Sequence, residues 1–281
     1  MRPRQWAKNL FVFAGLLFAQ KLFTPLAALA VAAFAVFCAL SGAMYLLNDV
    51  ADREKDRLHP RKRERPVASG RLSVPTAVIA AVVCLAAALG ASAAISWRFA
   101  AVALAYAVLL TAYSVWLKHM VLVDVLVVAI GFVLRAVGGA VAIDVEISGW
   151  LLICTILLAL FLALGKRRHE FLALGGEAGG HRPILAEYTA GLLDQMIAVV
   201  TASAVTAYAL YTMSPETVAK FHTHLLPVTL PFVLYGIFRY LYLLYSKQLG
   251  GNPSELFLND GPLLVNTFLW FLVVLVIVYF R

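Results

Sequence analysis

Charge is scarce in this sequence, and acid is scarcer than base. Asp, Glu, Lys and Arg make up 14% of the 281 residues, 15 acids against 23 Lys and Arg. Hydrophobic residues make up 63%, and mean hydropathy is +0.88. So little charge excludes a soluble globular core and leaves a polytopic membrane protein. Cysteine is nearly absent: Cys38, Cys84 and Cys154 lie inside apolar runs without CxxC spacing. No disulfide framework is expected, and the three read as small buried hydrophobes. His119, His169 and His181 lack metal-ligand spacing and read as loop residues. No cleavable leader, low-complexity segment or linker stands out, so one domain over 1–281 is expected.

What the chain has in abundance is apolar runs of spanning length. They lie at 10–23, 25–47, 74–96, 99–117, 121–142, 148–165, 192–213, 225–245 and 262–280, predicting an all-α bundle of nine transmembrane helices. Thr24-Pro25 and Ser73-Val74-Pro75 look like helix starts, a hydroxyl followed by a first-turn proline. Ser214-Pro215-Glu216 predicts a short external helix, and Pro227 with Pro231 predicts a kink in the eighth run. Residues 1–9 are basic, with Arg2, Arg4 and Lys8 around Trp6, and suit an interfacial helix.

With the N-terminus in the cytoplasm, the inside segments hold Arg2, Arg4, Lys8, the basic stretch 53–71, Lys118, Lys166, Arg167, Arg168, Arg182, Arg239 and Lys247. The outside keeps only Lys21, Arg98, Lys220 and Arg281, an asymmetry that fixes this orientation. The two longest inside loops, 2–3 and 6–7, sit four spans apart and hint at two similar halves around one cytoplasm-facing cavity.

The chemistry concentrates where the second run ends. Asn48, Asp52 and Asp56 repeat at i, i+4, i+8, and Asp49 stands three before Asp52. On a continuing helix these oxygens share one face, and hard oxygen ligands on a rigid face suit Mg²⁺ with substrate phosphates. The alternative is a solvated helix end with alternating charge. Acids set against a bilayer-length run favour function. Arg57, Lys62 and Arg65 follow, able to hold free phosphate oxygens. Arg135 stands in the middle of the fifth run, beside Gly138-Gly139, where its alternative is pairing with a buried acid. Lys166-Arg167-Arg168 reads either as a phosphate site or as a positive-inside anchor, and Tyr113 as a phosphate donor or a belt residue.

Asn48-Asp49-x-x-Asp52-x-x-x-Asp56, followed by Arg65-Pro66-x-x-x-Gly70, resembles the first aspartate-rich motif of the UbiA superfamily of intramembrane prenyltransferases. Most members carry a second such motif in loop 6–7. Here that loop reads Gly165-Lys166-Arg167-Arg168-His169-Glu170, and Asp124, Asp144, Asp194 and Asp260 form no DxxxD pair. The stretch 2–9, Tyr45-Leu46-x-Asn48-Asp49, Leu117-Lys118-His119, Arg135-Ala136-x-x-Gly139, Gly165-Lys166-Arg167 with Glu170, and Arg239-Tyr240 are similar to the decaprenyl-phosphate 5-phosphoribosyltransferase branch. The late acidic stretch of that branch is poorly matched by Asn252-Pro253-Ser254-Glu255 and Asn259-Asp260.

The resemblance implies transfer of 5-phosphoribose from phosphoribosyl pyrophosphate (PRPP) to a polyprenyl phosphate, for cell-wall arabinan precursors. It implies Mg²⁺ on Asn48, Asp49, Asp52 and Asp56, and substrate contacts from Lys8, Tyr45, Arg57, Lys62, Arg65, Tyr113, Lys118, Arg135, Lys166, Arg167 and Glu170. The expected place is the inner (plasma) membrane with the site facing the cytoplasm, and no nucleic-acid partner is expected. A homo-oligomer stays open, because lipid-facing and partner-facing helices look alike. Two other readings stay open: a UbiA prenyltransferase using prenyl diphosphate, and an anionic-metabolite transporter.

Overall fold

A computed structural model describes residues 3–58, 62–174 and 183–280. Arg2, His181, Arg182 and Arg281 lie outside the described residues. The α-helices are α1 (Ala14–Phe18), α2 (Leu26–Ala51), α3 (Arg53–Leu58), α4 (Val74–Ile95), α5 (Trp97–Val115), α6 (Val123–Ala142), α7 (Gly149–Leu174), α8 (Ala190–Met213), α9 (Pro215–Phe221), α10 (Leu230–Tyr245), α11 (Pro253–Asn259) and α12 (Gly261–Tyr279). Among the described residues, 8 helices are long and apolar enough to cross a membrane.

The expected first span, 10–23, takes another form. A 3₁₀-helix, Pro3–Phe13, runs into the five-residue α1. At ~2.0 Å per 3₁₀ residue and ~1.5 Å per α residue the pair is about 30 Å long, as long as the hydrocarbon core is thick. It runs antiparallel to α2: Asn9 meets Cys38 and Ser41, and Phe13 stacks on Phe34 at 5.3 Å. The narrow 3₁₀ coil lets α6 approach closely. A Cβ on Gly139 would run into the Val12 carbonyl oxygen, and one on Gly15 would stand 2.8 Å from the Ala140 Cβ.

The chain forms two compact units. The first comprises 1–16, 21–116 and 134–146. Here α4 packs on α2 and α5 through a face of small residues, Ala77, Ala81, Ala88 and Ser92, while Ile79, Val82 and Val83 point outward. Lipid tails remove the usual hydrophobic gain between helices, so close backbone approach does the holding. Phe37 fills the centre, against Phe99 at 6.0 Å and edge-on to Tyr106 at 5.1 Å.

The second unit comprises 17–20, 117–133 and 147–281. Phe161, Leu164, Leu185, Leu193, Ile197 and Leu244 form its core, with Phe161 edge-on to Tyr240 at 5.0 Å. Helix α7 outruns its expected end at 165 and carries Lys166 to Glu170 as helix, so His169 is helical and not a loop residue. Hydropathy stops at Gly165, but Lys166 and Arg167 both reach Glu170 along the helix, at i,i+4 and i,i+3.

Ser73 and Ser214 cap α4 and α9 as expected, each accepting from the backbone N–H three residues on. Thr24 does not cap α2: its hydroxyl donates back to the Lys21 carbonyl, and Pro25 takes the cap position. The eighth run does not kink in mid-helix. Leu226–Thr229 is a 3₁₀ turn, and Pro231 falls in the first turn of α10, where its missing N–H costs nothing.

Candidate functional site

The acidic stretch belongs to the first unit. Helix α2 breaks at Asp52, but Asp52 N–H still donates to Asn48 C=O and Asp56 N–H to Asp52 C=O, at 2.9 and 2.8 Å. The helical phase therefore carries through the break. At about 100° per residue, Asn48 and Asp52 fall within about 40° of each other, and Asp49 and Asp56 within about 20°. The side chains divide accordingly. Asn48 Nδ2 donates to Asp52 Oδ2 at 3.0 Å. Asp49 and Asp56, both buried, share one cation: Arg65 Nη1 donates to Asp49 Oδ1 at 3.1 Å and to Asp56 Oδ2 at 2.6 Å. All four fall within about 100° on the expected single face, where the side chains bond as these two pairs.

The basic segment delivers that guanidinium. Pro66 opens a tight turn in which Ser69 N–H bonds Arg65 C=O and Leu72 N–H bonds Pro66 C=O. Gly70 sits at φ +80, where a side chain would be strained. Val67 and Ala68 are buried, and Arg57 Nε holds the Ala68 carbonyl at 3.2 Å. The Arg-Pro-x-x-x-Gly spacing is the spacing of this turn. Arg57 also grips Glu54, while Lys62 is exposed on the 3₁₀ turn Lys62–Glu64.

Mg²⁺ fits this pocket by chemistry. Its donors are hard oxygens, and two buried carboxylates already require a cation between them, a place filled here by Arg65. Among the described residues no three His, Cys, Asp or Glu side chains converge as a ready-made metal site.

Further along the same face of α2 lie Tyr45, half-buried, and Ser41. Ser41 is about 12 Å from Asp49 along the axis, eight residues at ~1.5 Å each. There Arg135, 5% exposed, donates Nε to Asn9 Oδ1 at 2.7 Å and Nη2 to the Tyr106 hydroxyl at 2.5 Å. Its guanidinium also lies 4.9 Å over the Tyr106 ring. Asn9 in turn donates to Cys38 Sγ, and Ser41 bonds both Asn9 and Tyr106. These neutral oxygens and a ring face compensate a charge in an apolar span. Lys8, beside Asn9, and Tyr113, on α5, are both half-buried.

The cations expected in loops 4–5 and 6–7 belong to the second unit. Lys118 is half-buried on the 3₁₀ turn Leu117–His119. Arg167 is 3% exposed, donating Nε to Asp124 Oδ2 at 2.6 Å and Nη1 to Glu170 Oε2 at 2.5 Å. Lys166 Nζ stands 3.6 Å from Glu170 Oε1 with its side chain 40% exposed. Asp124, fully buried, also accepts from the Tyr188 hydroxyl at 3.0 Å. Burial pushes that hydroxyl up to about 12, so it stays a neutral donor.

Sequence reasoning noticed Asp124 only as an acid without a DxxxD partner, and it missed Tyr188 and Tyr106. One signal was available: Asp124 opens an apolar run, where an acid needs a partner. The late acidic stretch has a structural task. Asp260 takes Arg239 Nε and Nη2 at 3.1 and 2.8 Å and caps α12 through Leu263 N–H. The Arg239 guanidinium holds the Asp260 carboxyl below the usual carboxylate range.

Residues 9–272 match the model of the UbiA prenyltransferase family. A decaprenyl-phosphate phosphoribosyltransferase of Corynebacterium glutamicum is 35% identical over 99% of this chain and 85% of its own length. The protein of that name in Mycolicibacterium smegmatis is 32% identical over 100% of this chain and 91% of its own. Among solved structures, a UbiA homolog from Archaeoglobus fulgidus bound to GPP and Mg²⁺ superposes with a TM-score of 0.72 at 21% identity, covering 98% of this chain and 95% of that one. A multi-pass membrane protein follows from the eight apolar helices and the family together. The chain belongs to the UbiA prenyltransferase family, on its decaprenyl-phosphate phosphoribosyltransferase branch.

Proposed function

We propose that this chain moves 5-phosphoribose from PRPP to a polyprenyl phosphate of the decaprenyl type, releasing diphosphate, in supply of cell-wall arabinan precursors. The observation that carries the reading is 35% identity to a phosphoribosyltransferase across 99% of the chain. The sequence of α7 supports it: basic Lys166-Arg167-Arg168 stands where a prenyl-diphosphate enzyme needs a second acidic patch.

A phosphate oxygen of the lipid attacks C1 of the ribose, and the C1–O bond to diphosphate breaks with its electrons leaving on the diphosphate. The nucleophile is already anionic near neutral pH, so no residue has to remove a proton. Mg²⁺, when bound, supplies charge that stabilises the leaving diphosphate. Asn48, Asp49, Asp52 and Asp56 are the residues to hold it, and Arg57, Lys62 and Arg65 take free phosphate oxygens. Lys118 and Lys166 are assigned to the 5-phosphate. Arg135 and Arg167, each buried on protein partners, are assigned to holding the structure around their helices. Lys8, Tyr45, Tyr113 and Glu170 complete the proposed substrate contacts within a single UbiA-type domain. The excess of Lys and Arg on one side supports a plasma-membrane enzyme whose site faces the cytoplasm.

The test is transfer of label from ribose-labelled PRPP into the lipid fraction by purified protein, with Mg²⁺ and with EDTA. Label in the lipid with Mg²⁺ alone is expected. Transfer at full rate in EDTA overturns the metal assignment, and no transfer in either condition overturns the function.

A further inference from the structure

The two cations assigned to the 5-phosphate sit on different segments of the second unit, and something must hold them in register. We infer that Asp124 and Tyr188 are positioning residues that bind the Lys118 turn to the Lys166 turn of α7 and so set the specificity for a 5-phosphorylated donor. This rests on the phosphoribosyl reading above.

A continuous chain of contacts links the segments. Tyr188, 2% exposed, follows the 3₁₀ turn Pro183–Glu187, which packs on the turn carrying Lys118. Its hydroxyl accepts the Leu122 N–H at 2.9 Å and donates to Asp124 Oδ1 at 3.0 Å. The other Asp124 oxygen takes Arg167 Nε, Arg167 Nη1 reaches Glu170, and Glu170 reaches back to Lys166. Leu122 is held at φ +65, a left-handed conformation that a leucine adopts only under constraint. Its N–H, one residue before α6, donates to the Tyr188 hydroxyl, which thereby joins the backbone hydrogen bonds that fix the exit of the Lys118 turn.

The charges give the network its sense. Lys118, Lys166 and Arg167 are cations, and Asp124 and Glu170 are the carboxylates bonded within it. Asp124 and Glu170 share the buried Arg167 guanidinium. Buried ion pairs bring little net stability over apolar packing, so geometry is the gain that explains this one.

Tyr188→Phe removes the hydroxyl and keeps the ring. The variant is purified beside wild type, its thermal unfolding is recorded, and KM for PRPP, KM for polyprenyl phosphate and kcat are measured. Inhibition by ribose 5-phosphate and by inorganic diphosphate is measured as well. The expected result is a PRPP KM and a ribose 5-phosphate Ki each raised about tenfold, with diphosphate Ki and lipid KM unchanged. Asp124→Asn is expected to change the same two constants. No change, or equal loss for ribose 5-phosphate and diphosphate, overturns the inference. Should neither variant fold, backbone amide exchange on wild type takes their place. Ribose 5-phosphate should then slow exchange at 117–122 and 183–188 together, and protection of neither overturns the inference. A wild type indifferent to both PRPP and ribose 5-phosphate overturns the phosphoribosyl reading itself, and this inference falls with it.

Discussion

Arg65 is the residue on which the acidic pocket turns. Asp49 and Asp56 are 6% and 3% exposed and face one guanidinium. Arg65→Ala leaves two buried like charges together, and breaking such a pair from one side costs about 3–5 kcal/mol. A divalent cation can replace the lost charge. The apparent Tm of Arg65→Ala should therefore fall sharply in EDTA and recover with Mg²⁺, far more than that of wild type. Equal Mg²⁺ responses in the two proteins would remove the metal from this pocket. Arg135 offers a second case. It reads from sequence as a phosphate ligand or the partner of a buried acid, and the structure bonds it to Asn9 and Tyr106. Position alone exposed the residue as costly, but its partners come from distant segments that only the fold brings together. Arg135→Lys keeps the charge and loses the fork. At about 1.5–3 kcal/mol per hydrogen bond to a charged group, it should lower Tm by several degrees while PRPP KM stays near wild type. A stable Arg135→Lys with a tenfold higher PRPP KM would return this residue to the phosphate.

At the scale of elements, apolar run length was enough to place eight helices, because a bilayer demands unbroken apolar segments with internal hydrogen bonds. It was not enough for the form of the first run or for the end of α7. The first run winds as a 3₁₀-helix where Gly139 presses on Val12, a constraint set by a helix more than a hundred residues later. Helix α7 continues past its apolar part on side-chain ion pairs that hydropathy does not register. The shared helical face of the aspartate motif was legible, but the pairing of its side chains was not, because Arg65 arrives from the following turn. Two glycines test the packing argument. Gly139→Ala puts a Cβ into a backbone carbonyl and should cost about 3 kcal/mol or more, the upper range for overpacking. Gly90 on α4 has open space around it, so Gly90→Ala should be neutral or stabilise by roughly 0.5–1 kcal/mol. Thermal unfolding of the pair checks both, and equal effects would contradict the close approach.

At the scale of the whole molecule, the sign of the loop charges sets which way the chain faces. Single cysteines placed at exposed Lys62 and at Lys220, in a background without Cys38, Cys84 and Cys154, report on it in intact cells and in inverted vesicles. A membrane-impermeant maleimide should reach position 62 only from the cytoplasmic face and position 220 only from the other. The reverse pattern would contradict the orientation and the placement of the acidic pocket. The central claim concerns the donor, and a choice between donors tests it most directly. Purified protein with Mg²⁺ is given PRPP and a prenyl diphosphate at equal concentration, each carrying its own label, together with polyprenyl phosphate and an aromatic acceptor. The account predicts that ribose label enters the polyprenyl lipid and that prenyl label stays in the prenyl diphosphate. Prenyl label on the aromatic acceptor, with no ribose in the lipid, would contradict it.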